Sequence, residues 1–324
     1  MDERENNFFC TIVGKAYLIK GLTLYYSILK NMKNFHLWIC CVDEVVYNVL
    51  SKLDLDNVTL YKMDDIEDEE LLVAKGNRSI REYCWTLKAP LILHIFENCS
   101  VVNTILYLDA DLYFFDNAKQ IYNEWGNGSI LLCEQRDGWN DNIFGKYQAG
   151  LIGFRKDRSG LECLNWWRER CIEWCYDTCD DRGRWGDQRY MNNWNDLFEG
   201  VVVVKSLGID AAAWYQKYYD INNKGEKVYI NNDKLLVYHF ASFYIINKNE
   251  FTLWKWYNLA LDVKAVEMIY EPYVKDIRYA INKIDSVVHT IDDFYSSELH
   301  RDNVANYYKY VSQKKPAIAK VKNR

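Results

Sequence analysis

The sequence predicts an α/β protein built on a mostly parallel sheet flanked by helices. Two patterns carry that prediction. Short apolar runs alternate with stretches of helical periodicity, which implies right-handed β-α-β crossovers and parallel neighbours. One of the apolar runs, residues 105–108, ends in two carboxylates one residue apart, Asp109 and Asp111. In parallel sheets, ligands sit beyond the carboxyl ends of strands, where this pair would lie.

The elements follow in order. Residues 8–13 read as the first strand, after which Leu18, Leu22, Tyr25 and Leu29 recur at helical spacing. Residues 36–42 read as a strand, 45–53 as a helix and 58–62 as a third strand. Residues 64–70 hold six carboxylates in seven positions and read as a solvated loop or helix start. Residues 83–96 fit a buried helix, kinked or broken at Pro90. Residues 129–133 and 149–154 read as strands. Residues 161–176 read as a helix with Leu161, Leu164, Trp167, Cys171 and Trp174 on one face. Residues 201–205 and 235–240 are later strands. From Phe251 to Ile284 the chain is rich in Trp, Tyr and Leu and reads as helical. Residues 312–324 carry five basic residues and no acid, the pattern of a frayed tail. The expected organisation is a domain over residues 1–250 and a helical C-terminal extension over 251–324.

Bulk properties exclude several classes. A net charge of -6 removes the electrostatic case for nucleic-acid binding. No run approaches the ~18 apolar residues of a membrane span. Ten cysteines follow a charged start, Met1 to Glu5, without a leader-like apolar stretch, so a cytoplasmic protein with reduced thiols is expected. Cys171, Cys175 and Cys179 are spaced to share one helical face; a zinc cluster is one reading, and packing of small hydrophobes is the favoured one.

The Asp109–Asp111 pair points to chemistry. Alternation along a strand would project both side chains together, and two carboxylates on one face repel unless a positive charge lies between them. Hard divalent cations prefer oxygen ligands and share them with substrate phosphates. A cation site at the strand end is therefore expected.

With that pair placed, the chain resembles nucleotide-sugar glycosyltransferases of the GT-A fold. It is most similar to the family 8 type, which includes lipooligosaccharide galactosyltransferases and glycogenin. The segments carrying the resemblance are Thr11-Ile12-Val13-Gly14-Lys15-Ala16-Tyr17, Tyr83-Cys84-Trp85-Thr86-Leu87-Lys88, the run through Asp109-Ala110-Asp111, Tyr147-Gln148-Ala149-Gly150, Gly186-Asp187-Gln188 and Val237-Tyr238-His239-Phe240. Their joint order is the specific signal. Gln148 stands where the family commonly has Asn, and Gly14-Lys15 replaces its acidic residues.

The resemblance implies a Rossmann-like GT-A core and a Mn²⁺ or Mg²⁺ cofactor. The ion would be held by Asp109, Asp111 and His239, the imidazole tilting the choice toward Mn²⁺. Asp111 is read as the direct ligand and Asp109 as shared between the metal and the nucleotide ribose. Thr11, Val13 and Tyr17 would line the nucleotide base, with Gln148, Ala149 and Lys88 at the donor. Asp187 and Gln188 would bind the donor sugar or act in catalysis. Without the resemblance, His239 reads as a core histidine, and Asp187 has a helix N-cap as its alternative. Asp116 reads mainly as a cap. The implied partners are a UDP-linked or other nucleotide sugar and a glycan, lipid-linked or protein acceptor, with retention of configuration. Contact of the C-terminal region with the inner face of a membrane is a further expectation. Rival readings are a sugar-phosphate nucleotidyltransferase, disfavoured by the single Gly and single Lys after the first strand, and a non-catalytic nucleotide-sugar or metal-binding module.

Overall fold

The computed structural model describes residues 7–136, 144–256, 258–296 and 304–311. Its centre is a seven-stranded sheet in the order β3-β2-β1-β4-β7-β6-β8. The strands are β1 (Asn7–Val13), β2 (Phe35–Cys41), β3 (Val58–Lys62), β4 (Thr104–Leu108), β6 (Ile130–Glu134), β7 (Tyr147–Arg155) and β8 (Val201–Val203). All neighbours pair in parallel except β7, which runs against both β4 and β6.

Apolar side chains on the two faces of the sheet form two cores. One face packs under α1 (Leu18–Asn31) and α2 (Glu44–Leu53), the other under α4 (Ile80–Thr86), α5 (Lys88–Asn98) and the Arg158–Glu173 helix. α1 lies close on β1 because Gly21 has no side chain: a Cβ there would stand 2.8 Å from the Val13 side chain. Local capping sets helix starts. Asp43 accepts from the Val46 N–H, Asp68 from Leu71, and Asp157 from Gly160. Ser79 and Glu82 form a capping box at α4. The acidic run thus includes a 3₁₀ turn, Met63–Asp65, and the cap of α3 (Glu69–Lys75).

Several expectations are revised. The helix expected over 83–96 is two helices, and the break falls at Leu87, not at Pro90. Pro90 sits in the first turn of α5, where its missing N–H costs no helical bond. The helix containing Trp167 ends at Glu173, so Cys175 and Cys179 do not share its face. Cys171 and Cys175 are buried and Cys179 is exposed, and the three form no metal-ligand group among the described residues.

The region after residue 250 is not uniformly helical. β15 (Glu250–Thr252) is a strand between β14 (Tyr244–Asn247) and β16 (Tyr307–Lys309), and helical structure begins at Val263. The Glu271–Asp285 helix packs along α1. It is tied there by the Tyr113 hydroxyl, which donates to Asp276 at 2.6 Å. The basic tail, 312–324, lies outside the described residues.

Two small sheets complete the fold. β10 (Ile221–Lys224), β11 (Lys227–Ile230) and β12 (Asp233–Lys234) form an antiparallel meander. In the other, β13 (Val237–His239) lies between β5 (Leu112–Phe114) and β9 (Ala211–Ala212).

Candidate metal and donor site

The site forms where β4 stops. Strand β4 ends at Leu108, and Asp109, Ala110 and Asp111 form the turn into β5. The two carboxylates therefore converge through a turn rather than through strand alternation. The Asp109 N–H donates to the Gly150 carbonyl at 2.7 Å, and the Leu112 N–H donates to the Asp109 carbonyl at 3.0 Å, fixing that turn. Gly150 is available because β7 is antiparallel, which puts its first residues at the edge where β4 ends.

His239 arrives from the far end of the sequence. β13 pairs antiparallel with β5 so that His239 stands opposite Leu112, the residue after Asp111. The Phe240 N–H closes the junction by donating to the Asp111 carbonyl at 2.9 Å. Ligand atoms of Asp109, Asp111 and His239 all lie within 4.8 Å of one another. His239 Nε2 is 3.2 Å from Asp111 Oδ1. Gly150 makes room for the imidazole: a Cβ there would stand 2.5 Å from Cε1 and 2.8 Å from Nδ1.

Asp210 stands behind the imidazole. It is fully buried, with one carboxylate oxygen 3.4 Å from His239 Nδ1. Its backbone is left-handed, at φ 54°, a conformation uncommon for a residue with a side chain. Nothing in the sequence marked Asp210, because its position depends on the parallel pairing of β9 with β13, which sets Ala211 opposite Tyr238 and Ala212 opposite His239.

A second carboxylate centre adjoins the first. Lys88, buried at the start of α5, lies 3.3 Å from Asp109 Oδ1 and 3.0 Å from Asp187 Oδ2, and donates to the Ala149 carbonyl at 2.9 Å. One hydrogen bond and two ion pairs thus surround the buried ammonium. Asp187 does not act as a side-chain cap of the following 3₁₀ turn, Gln188–Asn193; its carboxylate faces Lys88 instead. Trp167 Nε1 holds the Asp187 carbonyl at 3.0 Å. The preceding Gly186 has φ 52° and lies against Trp85, a conformation that favours glycine. The Gln188 side chain links β7 to the turn before it, accepting from the Ala149 N–H at 3.3 Å and donating to the Phe144 carbonyl at 3.2 Å. Gln148 donates to the Asp210 carbonyl at 3.0 Å.

The residues expected around a base are placed differently from one another. Thr11 and Val13 are buried in β1, beneath α1. Tyr17 is 42% exposed at the turn after β1, its ring 4.8 Å from Lys20 Nζ. Lys20 in turn lies 3.7 Å from Asp111 Oδ2. Asp116 is not a helix cap. It lies 3.1 Å from Lys227 and 3.0 Å from Lys234, and Ala118 occupies the cap of α6 (Lys119–Trp125).

The electrostatics match a cation site. Burial opposes charge on His239, but Asp111 and Asp210 outweigh it and push the imidazole up to about 10. Burial likewise opposes charge on Asp111, and His239 and Lys20 hold its carboxyl well below the usual carboxylate range. Burial pushes the Asp187 carboxyl up, with Lys88 opposing. Four acidic side chains, Asp109, Asp111, Asp187 and Asp210, stand around two lysines, Lys20 and Lys88, so acidic groups are in excess at this edge of the sheet. Two carboxylates and an imidazole whose ligand atoms lie within 4.8 Å of one another form a donor set that could hold a divalent cation.

This architecture is the GT-A glycosyltransferase fold. The solved glycosyltransferase GlyE of Streptococcus pneumoniae TIGR4 matches it with a TM-score of 0.50 at 14% identity, over 87% of this chain and 64% of that one. Among curated sequences, the chain is 34% identical over 284 residues to the uncharacterized protein YfnD of Bacillus subtilis (strain 168), covering 86% of this chain and 91% of YfnD. The chain belongs to the YfnD family. It is also 29% identical over 254 residues to the uncharacterized protein YfnF of the same organism, covering 75% of this chain and 83% of YfnF. No protein-family profile matches the chain. Among the described residues, no helix is long and apolar enough to cross a membrane.

Proposed function

We propose that this protein is a divalent-metal-dependent glycosyltransferase. It moves a hexose from a nucleoside-diphosphate sugar, most simply a UDP-sugar, to a glycan, lipid-linked glycan or protein acceptor, with retention at the anomeric carbon. The observation that carries this reading is the convergence of Asp109, Asp111 and His239 at the strand-end edge of a GT-A sheet. All ten cysteines are unpaired, in keeping with a reducing cytoplasmic location.

A bound divalent ion neutralises the diphosphate charge that grows as the glycosidic bond breaks. Asp109, Asp111 and His239 are its ligands in this reading, with Asp109 also within reach of the donor ribose. Tyr17, the exposed aromatic beside Lys20, is the surface for the base. Lys88 acts through its neighbours: anchored on the Ala149 carbonyl and ion-paired with both carboxylates, it holds Asp109 and Asp187 in one frame. That frame holds the metal-side carboxylate, Asp109, and the sugar-side pair, Asp187 and Gln188, at a constant separation. Fixed geometry of this kind lowers the barrier by orienting the reacting groups.

A thermal-shift screen of nucleotides and nucleotide sugars, with and without Mn²⁺, tests the reading. A ligand present at 100 times its dissociation constant adds about 2.7 kcal/mol of stability. At least one nucleoside diphosphate should raise the melting temperature, and only in the presence of the metal. No shift with any nucleotide contradicts the reading. Metal-dependent binding without turnover across donors and acceptors favours a non-catalytic binding module.

A further inference from the structure

Asp210 is a fully buried carboxylate; among the described residues neither of its oxygens has a hydrogen bond, and His239 Nδ1 likewise has none. Buried polar atoms without hydrogen bonds are costly, so this arrangement needs a compensating role. One Asp210 oxygen lies 3.4 Å from that same Nδ1. The opposite ring nitrogen, Nε2, faces Asp111. The two nitrogens thus have different carboxylates, one inside the cation cluster and one behind it.

Three features hold Asp210 in that place. The parallel pairing of β9 with β13 sets its strand beside His239. The left-handed backbone, at φ 54°, turns the chain immediately before that strand. The Gln148 side chain donates to the Asp210 carbonyl. A buried acidic residue in a left-handed conformation beside a candidate ligand cluster is maintained where its geometry has a use. Ring edge and face are also confined: Gly150 abuts Cε1 and Nδ1, and the Trp214 ring lies edge-on at 5.6 Å.

We infer that Asp210 is the positioning residue for the metal-binding histidine: it accepts the Nδ1–H of His239 and thereby presents the Nε2 lone pair to the cation. Carboxylates in this outer position orient metal-bound imidazoles in many sites, and removing them weakens metal binding by about 10- to 100-fold. The inference rests on the metal reading above and adds to it the residue that fixes ring orientation and tautomer.

The test measures Mn²⁺ binding, without any nucleotide, by isothermal titration calorimetry on wild type, Asp210→Ala and Asp210→Asn, with melting temperatures alongside. Asp210→Ala should weaken Mn²⁺ binding about 10- to 100-fold. Asp210→Asn, whose amide oxygen still accepts the Nδ1–H, should recover part of the loss. Variants that melt at a changed temperature yet bind Mn²⁺ as wild type does overturn the inference, because they leave Asp210 a structural role only. A wild type that ignores Mn²⁺ overturns the metal reading and this inference together; a wild type that binds it beside unchanged variants overturns this inference alone. On the unmutated protein loaded with diamagnetic Cd²⁺, ¹⁵N spectra of the His239 ring should show the proton on Nδ1, and the opposite tautomer contradicts the assignment.

Discussion

Gly150 shows how little freedom the imidazole has. Its missing side chain leaves the space that His239 fills, and its carbonyl anchors Asp109. Gly150→Ala should therefore push the ring off its position and weaken Mn²⁺ affinity by about tenfold or more, with the fold retained by circular dichroism. Unchanged affinity would show that the ring can move without consequence. Sequence patterns exposed the Asp109–Asp111 pair because an apolar run framed it. His239 was legible only through the family resemblance, since a lone histidine at a strand end carries no signal of its own. Asp210 was not legible at all. Its neighbour is created by strand pairing and by one left-handed backbone angle, and neither leaves a mark in composition or periodicity.

Among the elements, the strands of the central sheet were readable because each is a buried apolar run with a helix beside it. Two failures have a common cause in distant pairing. β15 is three residues long, and its aromatic Phe251 pairs with Tyr308, far along the chain, so local periodicity suggested a helix. Asp116 precedes Asn117 and a short helix, the pattern of a cap, yet its partners are Lys227 on β11 and Lys234 on β12. These ion pairs tie the β10–β12 meander to the end of β5, the strand that leads out of the Asp109–Asp111 turn. Burial raises the Asp116 carboxyl pKa, but the Asn117 N–H and the two lysines outweigh it and hold the carboxyl below its usual value. A depressed folded-state value stabilises the fold at pH above the unfolded pKa, about 3.9, and the stabilisation fades as pH falls through the folded value. Asp116→Asn should thus cost about 1 kcal/mol near pH 7 in denaturant melts, with the gap to wild type closing in strong acid. A gap independent of pH would assign the loss to packing rather than charge.

At the scale of the molecule, the antiparallel strand β7 is what unites the site. It carries Gln148, Ala149 and Gly150 to the edge where the parallel strands end, and those three residues touch Asp210, Lys88, Gln188, Asp109 and His239. The Asp109–Asp111–His239 cluster and the Asp187–Gln188 pair are thereby parts of one frame rather than neighbouring sites. The measurement that tests this most directly is release of nucleoside diphosphate from a panel of nucleotide sugars, comparing wild type with Asp111→Asn in Mn²⁺ and in chelator. Wild type should release the diphosphate from at least one donor only when Mn²⁺ is present, and Asp111→Asn should fall by about 100-fold or more. Release that persists in chelator, or that survives intact in Asp111→Asn, contradicts a metal-dependent transfer centred on this turn.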